Sequence, residues 1–454
     1  MINLEDILIN GYFYFMLLIF LALIGLIVIN AKRIIKQFKN IKTTTWITVL
    51  LIFLLGLIIR MFFIPHMHQV FYDEFYHINI AGNMDKEQKF CSNLINESYC
   101  KIIGWPPGYH FLLSFVFKVF GISEDVAYFF NVFFSSISLL LIFLLTYLVF
   151  KNDKIALLSM LMLDFLPVHL KISGSAALMP LSFFFMTLSM IFFLIYLREK
   201  KFTLLVLFLT SLLFMIYIRP ENFILIFLFS MFIFFYNKKS LKNKRIIITL
   251  IIFILLLIPL SFQIYNGLNN KTPYWNESIV SFFDFFKQNV WYNILFWFEN
   301  KINPLFYTLF AIFGLFSFKR ITKKIKYFLL IWFIAFFIFY TCFEKGDMSI
   351  RLTLDSWRYS LPLYVPIILF AGNGCYELIT TFDKNAFKLL LALIMVLLVV
   401  FNYFYFYSFI YLENNHQKEY KNFKISLSKL LQTRSYCNNS NNLTNCYDIT
   451  IFSD

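Results

Sequence analysis

Phe71-Tyr72-Asp73-Glu74-Phe75-Tyr76-His77-Ile78-Asn79-Ile80-Ala81 sets two adjacent carboxylates just past an apolar run, Trp46 to Pro65. A polar loop and Trp105-Pro106-Pro107-Gly108-Tyr109 follow. The apolar run decides the fold. It has about the 20 residues that cross a bilayer core, and similar runs recur to the end of the chain. Of the 454 residues, 60% are hydrophobic, 14% are charged and 63 are Phe. A soluble domain cannot cover that much apolar surface. The composition predicts an all-α polytopic membrane protein.

The net charge of +15 raises nucleic acid as a partner, but the basic residues sit in short clusters between apolar runs. Positive-inside loops explain that pattern, and no nucleic-acid partner is expected. The N-terminal Met1-Ile2-Asn3-Leu4-Glu5-Asp6 lacks a basic n-region, and the first span is too long for an h-region. No cleaved signal is expected.

Hydropathy predicts about twelve spans. The first runs from Gly11 to Asn30 and the second from Trp46 to Pro65. Residues 66–125 form a first exterior loop, in which Gly108 to Phe120 is too short to span and reads as an interfacial helix. Spans three to seven cover Val126–Phe150, Ile155–Leu170, Leu178–Leu197, Phe202–Ile218 and Asn222–Tyr236, and the eighth Ile246–Tyr265. An aromatic exterior loop, Asn266 to Lys301, precedes a ninth span ending at Lys319-Arg320 and a tenth ending near Phe343. The eleventh covers Tyr359–Thr380 and the twelfth Phe387–Tyr411. Residues 412–454 read as an exterior tail. The whole chain, 1–454, reads as one transmembrane domain with no internal repeat.

Cys91 and Cys100 share one exterior loop, and Cys437 and Cys446 share the tail at the same spacing. Two local disulfides are the expected pairing. Zinc competes, but neither pair has CxxC spacing or a suitable neighbouring His. The acceptor-type triplets that begin at Asn96, Asn270, Asn276, Asn438 and Asn442 also fall in loops expected outside.

Four constellations can carry chemistry. Asp73-Glu74 at a membrane boundary reads as a general base or metal ligand, or else as a solvated loop acid. His66, His68 and His77 flank it. Pro106-Pro107 ahead of Tyr109-His110 allows a helix to start at once. Arg219-Pro220-Glu221, between spans six and seven, is placed to hold a lipid phosphate or to form a solvated turn. Arg358 and Tyr359 open the eleventh span, where the arginine can clamp a phosphate or snorkel. Asp164 and His169 lie in or near a short span. A charge there needs a partner, and Lys171 is the candidate for Asp164.

The order of these features resembles the integral-membrane GT-C glycosyltransferases, in particular the branch with protein O-mannosyltransferases and bacterial aminoarabinose transferases. The resemblance covers roughly Ile59 to Phe370, and Asp73-Glu74-Phe75-Tyr76 is its most specific element. It implies a GT-C-like fold with interfacial helices in the first exterior loop. It also implies inverting transfer of a sugar, hexosyl or pentosyl, from a polyprenyl-phosphate (dolichyl-type) donor. The acceptor would be a protein, lipid or glycan at the non-cytoplasmic face of the cell membrane. Asp73 matches the family's catalytic acid, Glu74 its neighbour, and Arg358 the base that faces the donor phosphate. Tyr76, His77, Pro107, Tyr109, Arg219, Glu221 and Tyr359 are the further candidates for substrate binding.

Two departures stand out. Several relatives carry a second acid where this chain reads Ser173-Gly174-Ser175-Ala176-Ala177-Leu178-Met179-Pro180, and relatives often have His where Trp105 stands. No metal ligands are therefore assigned, and a role for a divalent cation stays open. The competing functions are a flippase or transporter of lipid-linked sugars, and a polymerase or ligase of lipid-linked glycans. A transporter would show acids and Gly/Pro breaks at mid-membrane in paired halves, and no such pairing is seen. Polymerases and ligases usually carry a large late exterior loop, and the loop after Phe343 is short.

Overall fold

The computed structural model describes residues 4–68, 71–92, 102, 105–236, 243–269, 282–298, 303–317, 321–342, 344–345, 348–349 and 357–380. Contacts divide the chain into Met1–Leu398 and Val399–Asp454, and all described residues lie in the first unit. The twelfth predicted span, the tail, Cys100, Cys437, Cys446 and the five acceptor triplets lie outside the described residues.

The chain is helical, as an apolar segment in lipid must be to satisfy its own backbone. The order is α1 (Leu4–Lys36), α2 (Thr43–Ile58) ending in a π-turn (Ile59–Phe63), α3 (Phe71–Glu87), α4 (Gly108–Phe120), α5 (Glu124–Phe150), α6 (Asp153–Asp164), α7 (Pro167–Ser173), α8 (Met179–Glu199) and α9 (Phe202–Ile216). A 3-10 turn (Pro220–Phe223) leads into α10 (Ile224–Tyr236). Then come α11 (Lys244–Leu255), α12 (Ile258–Asn269), α13 (Phe282–Phe296), α14 (Leu305–Phe316) and α15 (Lys323–Cys342). A two-stranded antiparallel hairpin, β1 (Glu344–Lys345) and β2 (Met348–Ser349), and a 3-10 turn (Trp357–Ser360) precede α16 (Leu361–Thr380).

Local chemistry marks several ends. Ser123 accepts from the Val126 amide at the start of α5, with Glu124 and Asp125 in its first turn. Asn152 accepts from the Lys154 and Ile155 amides at the start of α6. Pro167 begins α7, where a missing amide costs nothing.

Among the described residues, 7 helices are long and apolar enough to cross a membrane, or up to 8 if the bent pair α6–α7 is one span. α9 and α14 are shorter apolar helices. Every predicted span from the first to the eleventh coincides with a helix or helix pair, but three details differ. The fourth span is broken after Asp164, and α6 and α7 meet at 57°, because Pro167 cannot continue α6. The loop Asn266 to Lys301 contains α13, whose Asn289 and Asn293 donate to the Thr341 carbonyl (3.3 Å) and hydroxyl (3.0 Å). Finally, α4 buries Gly108 to Ser114 and Phe117 and exposes Phe115, Val119 and Phe120.

α8 and α16 are largely buried, whereas α1, α2 and the α11–α12 span expose most of their apolar surface. Leu18, Leu21, Val28, Leu50 and Leu51 are among the exposed side chains, which suits contact with lipid. Between such helices lipid tails supply no hydrophobic drive, so close packing must come from small residues. At the α14–α16 crossing, a Cβ on Gly314 would collide with the Phe370 carbonyl and one on Gly374 with the Phe310 carbonyl. On the other side of α16, a Cβ on Gly372 would collide with the Ser159 hydroxyl of α6. Gly314→Val should therefore lower the thermal midpoint of the purified protein by the equivalent of about 3 kcal/mol. Gly11→Ala, with nothing within 4 Å of the new methyl group, should leave it unchanged.

Candidate active site

Asp73 and Glu74 sit in the first turn of α3, and consecutive helical residues point about 100° apart. The two carboxylates therefore part company. Glu74 is fully buried. Its Oε2 accepts from the backbone amide of Ala176 at 2.8 Å and lies 2.9 Å from His68 Nδ1. Asp73 keeps 14% of its side chain exposed, and its Oδ2 lies 3.5 Å from the Arg358 guanidinium, itself 12% exposed. Of the two acids, Asp73 is the one a ligand can reach. Glu74, expected beside Asp73 as a second catalytic group, is instead turned into the interior, where His68 and the Ala176 amide bond it.

His68 ties this corner to α5. Its Nε2 is 3.5 Å from Glu124 Oε2, and its ring packs on Phe75 at 4.4 Å and on Tyr128 at 5.5 Å. Burial works against its charge, but the bonds to Glu124 and Glu74 outweigh that and hold its pKa up to about 9.

The basic side is built from the two 3-10 turns. Arg358 stands 5.1 Å from the Tyr359 ring centroid and donates to the Tyr359 hydroxyl at 3.3 Å. Arg219 approaches the same ring at 5.3 Å. Two guanidinium groups thus share one tyrosine. Arg219 is buried and paired with Glu221 at 2.9 Å. Burial opposes its charge, but Glu221, Tyr340 and Tyr359 more than compensate and raise its pKa. Tyr340 completes the cluster, its ring 5.6 Å from that of Tyr359. Two guanidinium groups on one ring, with Asp73 3.5 Å from Arg358 and Glu221 2.9 Å from Arg219, form a place where an anion can be held.

Four other predicted binding residues, Tyr76, His77, Pro107 and Tyr109, are packed into the interior. Tyr109 is fully buried, donates to the Ala176 carbonyl at 3.0 Å and receives Asn131 Nδ2 at 3.4 Å. Pro107 caps α4 and is buried. The next amide, of Gly108, donates to the Tyr217 carbonyl at 2.7 Å. Tyr76 is buried against Trp105, with ring centroids 5.2 Å apart. His77 Nδ1 lies 3.0 Å from His110 Nε2, and His110 Nδ1 lies 3.0 Å from the Pro106 carbonyl. A carbonyl only accepts, so His110 carries its proton on Nδ1 and accepts from His77 on Nε2. Burial and the neighbouring His77 push the His110 pKa well down, against the bond to Pro106. Tyr76, His77, Pro107 and Tyr109, expected to touch substrate, are thus all buried around the start of α4.

Cys91 is disulfide-bonded, and Cys342 and Cys375 are buried free thiols. The partner of Asp164 is Arg60, at 2.6 Å, and not Lys171. Arg60, Tyr340 and Glu124 are not among the residues the sequence singles out, whereas His68 stands out there as a flank of the acid pair. Arg60 carried a legible signal, a charge inside an apolar run. Tyr340 is one tyrosine among 27 and carried none. Among the described residues no three His, Cys, Asp or Glu side chains come together as a metal site. Asp73 faces a guanidinium and Glu74 is already bonded, so these residues do not fit a metal and no step is derived through one.

His68 gives a pH signature. Its folded pKa of about 9 stands above the ordinary 6.5. Its contribution is therefore complete below about pH 6.5 and is lost as pH rises through 9. His68→Gln should lower the thermal midpoint at pH 6.5, by up to about 3 kcal/mol, and have little effect at pH 9.5. Thermal scans of both proteins at the two pH values check this.

The family model described as "Dolichyl-phosphate-mannose-protein mannosyltransferase" matches residues 105–262, a stretch that includes the α4 start and Arg219 but neither Asp73 nor Arg358. No curated protein matches the chain. The archaeal oligosaccharyltransferase AglB from Archaeoglobus fulgidus, solved with an inhibitory peptide and a dolichol-phosphate, superposes with a TM-score of 0.57 at 13% identity. The match covers 81% of this chain and 56% of that one. ArnT from Cupriavidus metallidurans, bound to undecaprenyl phosphate, gives 0.51 at 13% identity over 74% of this chain and 60% of that one. The chain thus spans little more than half the length of these proteins, and at such identity the likeness is one of fold. The long apolar helices and the shared architecture make this chain a polytopic integral-membrane protein with the fold of AglB and ArnT.

Proposed function

We propose that the chain is a glycosyltransferase. It moves a sugar from a polyprenyl-phosphate donor to an acceptor hydroxyl at the non-cytoplasmic face of the membrane, with inversion. The observation that carries this reading is the 3.5 Å approach of Asp73 to Arg358, with Arg219 against the same Tyr359 ring. AglB was solved with a dolichol-phosphate and ArnT with undecaprenyl phosphate, which supports a lipid phosphate as the ligand class.

In this mechanism Arg358 and Arg219 hold the donor phosphate, whose charge grows as its bond to the anomeric carbon breaks. Guanidinium groups suit that task because they are always charged and offer several donors in a plane. As the phosphate binds, Arg358 is shared between it and Asp73. The carboxylate then accepts the proton of the acceptor hydroxyl. The hydroxyl oxygen bonds to the anomeric carbon from the face opposite the phosphate, and the polyprenyl phosphate leaves with the bonding pair. Glu74, anchored to His68 and Ala176, keeps the first turn of α3 in register for this. The disulfide at Cys91, on the loop that follows α3, suits an oxidising compartment and supports the non-cytoplasmic side.

Asp73→Asn should reduce turnover about a hundredfold to ten-thousandfold with membrane insertion and thermal midpoint intact. Transfer of labelled sugar by the purified protein reads this, and normal turnover in the variant removes Asp73 as base. Arg358→Gln should cost about 1.5–3 kcal/mol of donor recognition, seen as a higher KM for polyprenyl-phosphate sugar. Running the same assay with a lipid-pyrophosphate sugar separates this reading from a polymerase or ligase. A transporter would move lipid-linked sugar across vesicles without forming any product.

A further inference from the structure

Away from the site lies a cluster that the proposed chemistry does not use. Arg60, in the π-turn that ends α2, is fully buried. Its Nη1 donates to Asp164 Oδ1 at 2.6 Å and to the Gly56 carbonyl at 2.9 Å. Its Nη2 donates to the Asp164 carbonyl at 3.3 Å and to His169 Nδ1 at 3.0 Å. Asp164 and His169 are also fully buried. Gly56 makes the approach feasible, since a Cβ there would collide with Asp164 Oδ1.

Stability does not account for this pair. Removing two charges from water costs several kcal/mol per ion, and apolar replacements of buried pairs are often neutral or stabilising. The cluster is also incompletely satisfied: Arg60 Nε, Asp164 Oδ2 and His169 Nε2 have no hydrogen-bond partner among the described residues. Its position is informative instead. Asp164 ends α6 and His169 lies on α7, so Arg60 grips both sides of the 57° break. π-turns of this kind recur at functional sites.

Two routes lead from the cluster to the site. The first leaves from the Arg60 carbonyl, which accepts from His66 Nε2 at 2.9 Å. The Met67 amide then donates to the Gly174 carbonyl at 3.0 Å, and His68 reaches Glu74, the neighbour of Asp73. The second runs along α7, which packs against the 3-10 turn carrying Arg358. Just beyond α7, the Ala176 amide holds Glu74. Both halves of the site therefore hang from elements that Arg60 holds together.

We propose that the Arg60–Asp164–His169 cluster is a positioning device for the site. It fixes the end of α2 against α7 from within the membrane, and so sets Asp73 relative to Arg358. Its catalytic consequence rests on the glycosyl-transfer reading above, whereas its geometric consequence does not.

The test compares the full-length purified protein with Arg60→Lys, Asp164→Asn and the double variant Arg60→Met/Asp164→Leu, which replaces the pair by apolar groups and guards against failure to fold. Hydrogen–deuterium exchange is read in peptides covering 64–68, 71–80, 167–178 and 357–360, and in α14 and α16 as a reference. The expected result is faster exchange in the first four segments, wild-type exchange in α14 and α16, and a thermal midpoint for the double variant no lower than wild type. With polyprenyl-phosphate sugar, a displacement on the order of 1 Å should lower kcat about a hundredfold while KM stays the same, the mark of lost alignment and not of lost binding. Wild-type exchange in the four segments overturns the proposal, as does exchange that rises uniformly across the bundle. If the wild-type protein transfers no sugar, the glycosyl-transfer reading fails, and the exchange pattern still decides the role of the cluster.

Discussion

The architecture turns on the cost of charge in a bundle surrounded by lipid. An ionised side chain removed from water must be paired and hydrogen-bonded, and this chain meets that demand by binding its acids to particular neighbours. Glu74 is held by His68 and the Ala176 amide, Asp164 by Arg60, and Glu221 by Arg219. Asp73, 3.5 Å from Arg358, and Glu221, 2.9 Å from Arg219, are the two acids of this corner that pair with a cation and keep part of their side chains exposed. The same constraint that locks the scaffold therefore leaves these two ion pairs at its edge. Glu74 and Asp73 differ by one position in sequence and have opposite fates, because one helical step turns the first inward and leaves the second at the opening.

The scaffold that carries this corner depends on backbones that approach closely. α16 is clasped on one side by α14 through Gly314 and Gly374, and on the other by α6 through Gly372 and Ser159. Such contacts fix the height of α16, and with it the height of Arg358 at its entrance. α6 then breaks after Asp164, so the chain re-enters as α7 at an angle, and the strap from Ser173 to Ala177 passes beneath the α3 turn. Tyr109 and Asn131 bind the carbonyls of this strap. The double proline at Pro106-Pro107 thus serves the site indirectly. It starts α4 where Tyr109 can pin the strap that in turn holds Glu74.

Much of this was legible before any coordinates. Segment length and hydropathy placed helices at each of the first eleven predicted spans, since a chain in lipid has few ways to satisfy its backbone. The acid pair and the late arginine were also legible, because a charge next to an apolar run is costly and therefore conspicuous. The sequence marked Arg219 and Arg358 separately, at positions 139 residues apart (219 to 358). It could not reveal that both approach one tyrosine ring, because that depends on how the helices between them, α10 to α15, fold back on one another.

The division of labour between Asp73 and Glu74, the interior duty of Tyr109 and His77, and the choice of Arg60 over Lys171 as the partner of Asp164 were decided by tertiary packing alone. The physical reason is the same in each case. A residue's type states what it can bond, and burial decides which bond it must make. The amino-acid sequence by itself determined that this chain crosses a membrane and where its costly charges lie. Only the fold determined which of those charges neutralise each other inside the bundle and which pair is left facing the opening.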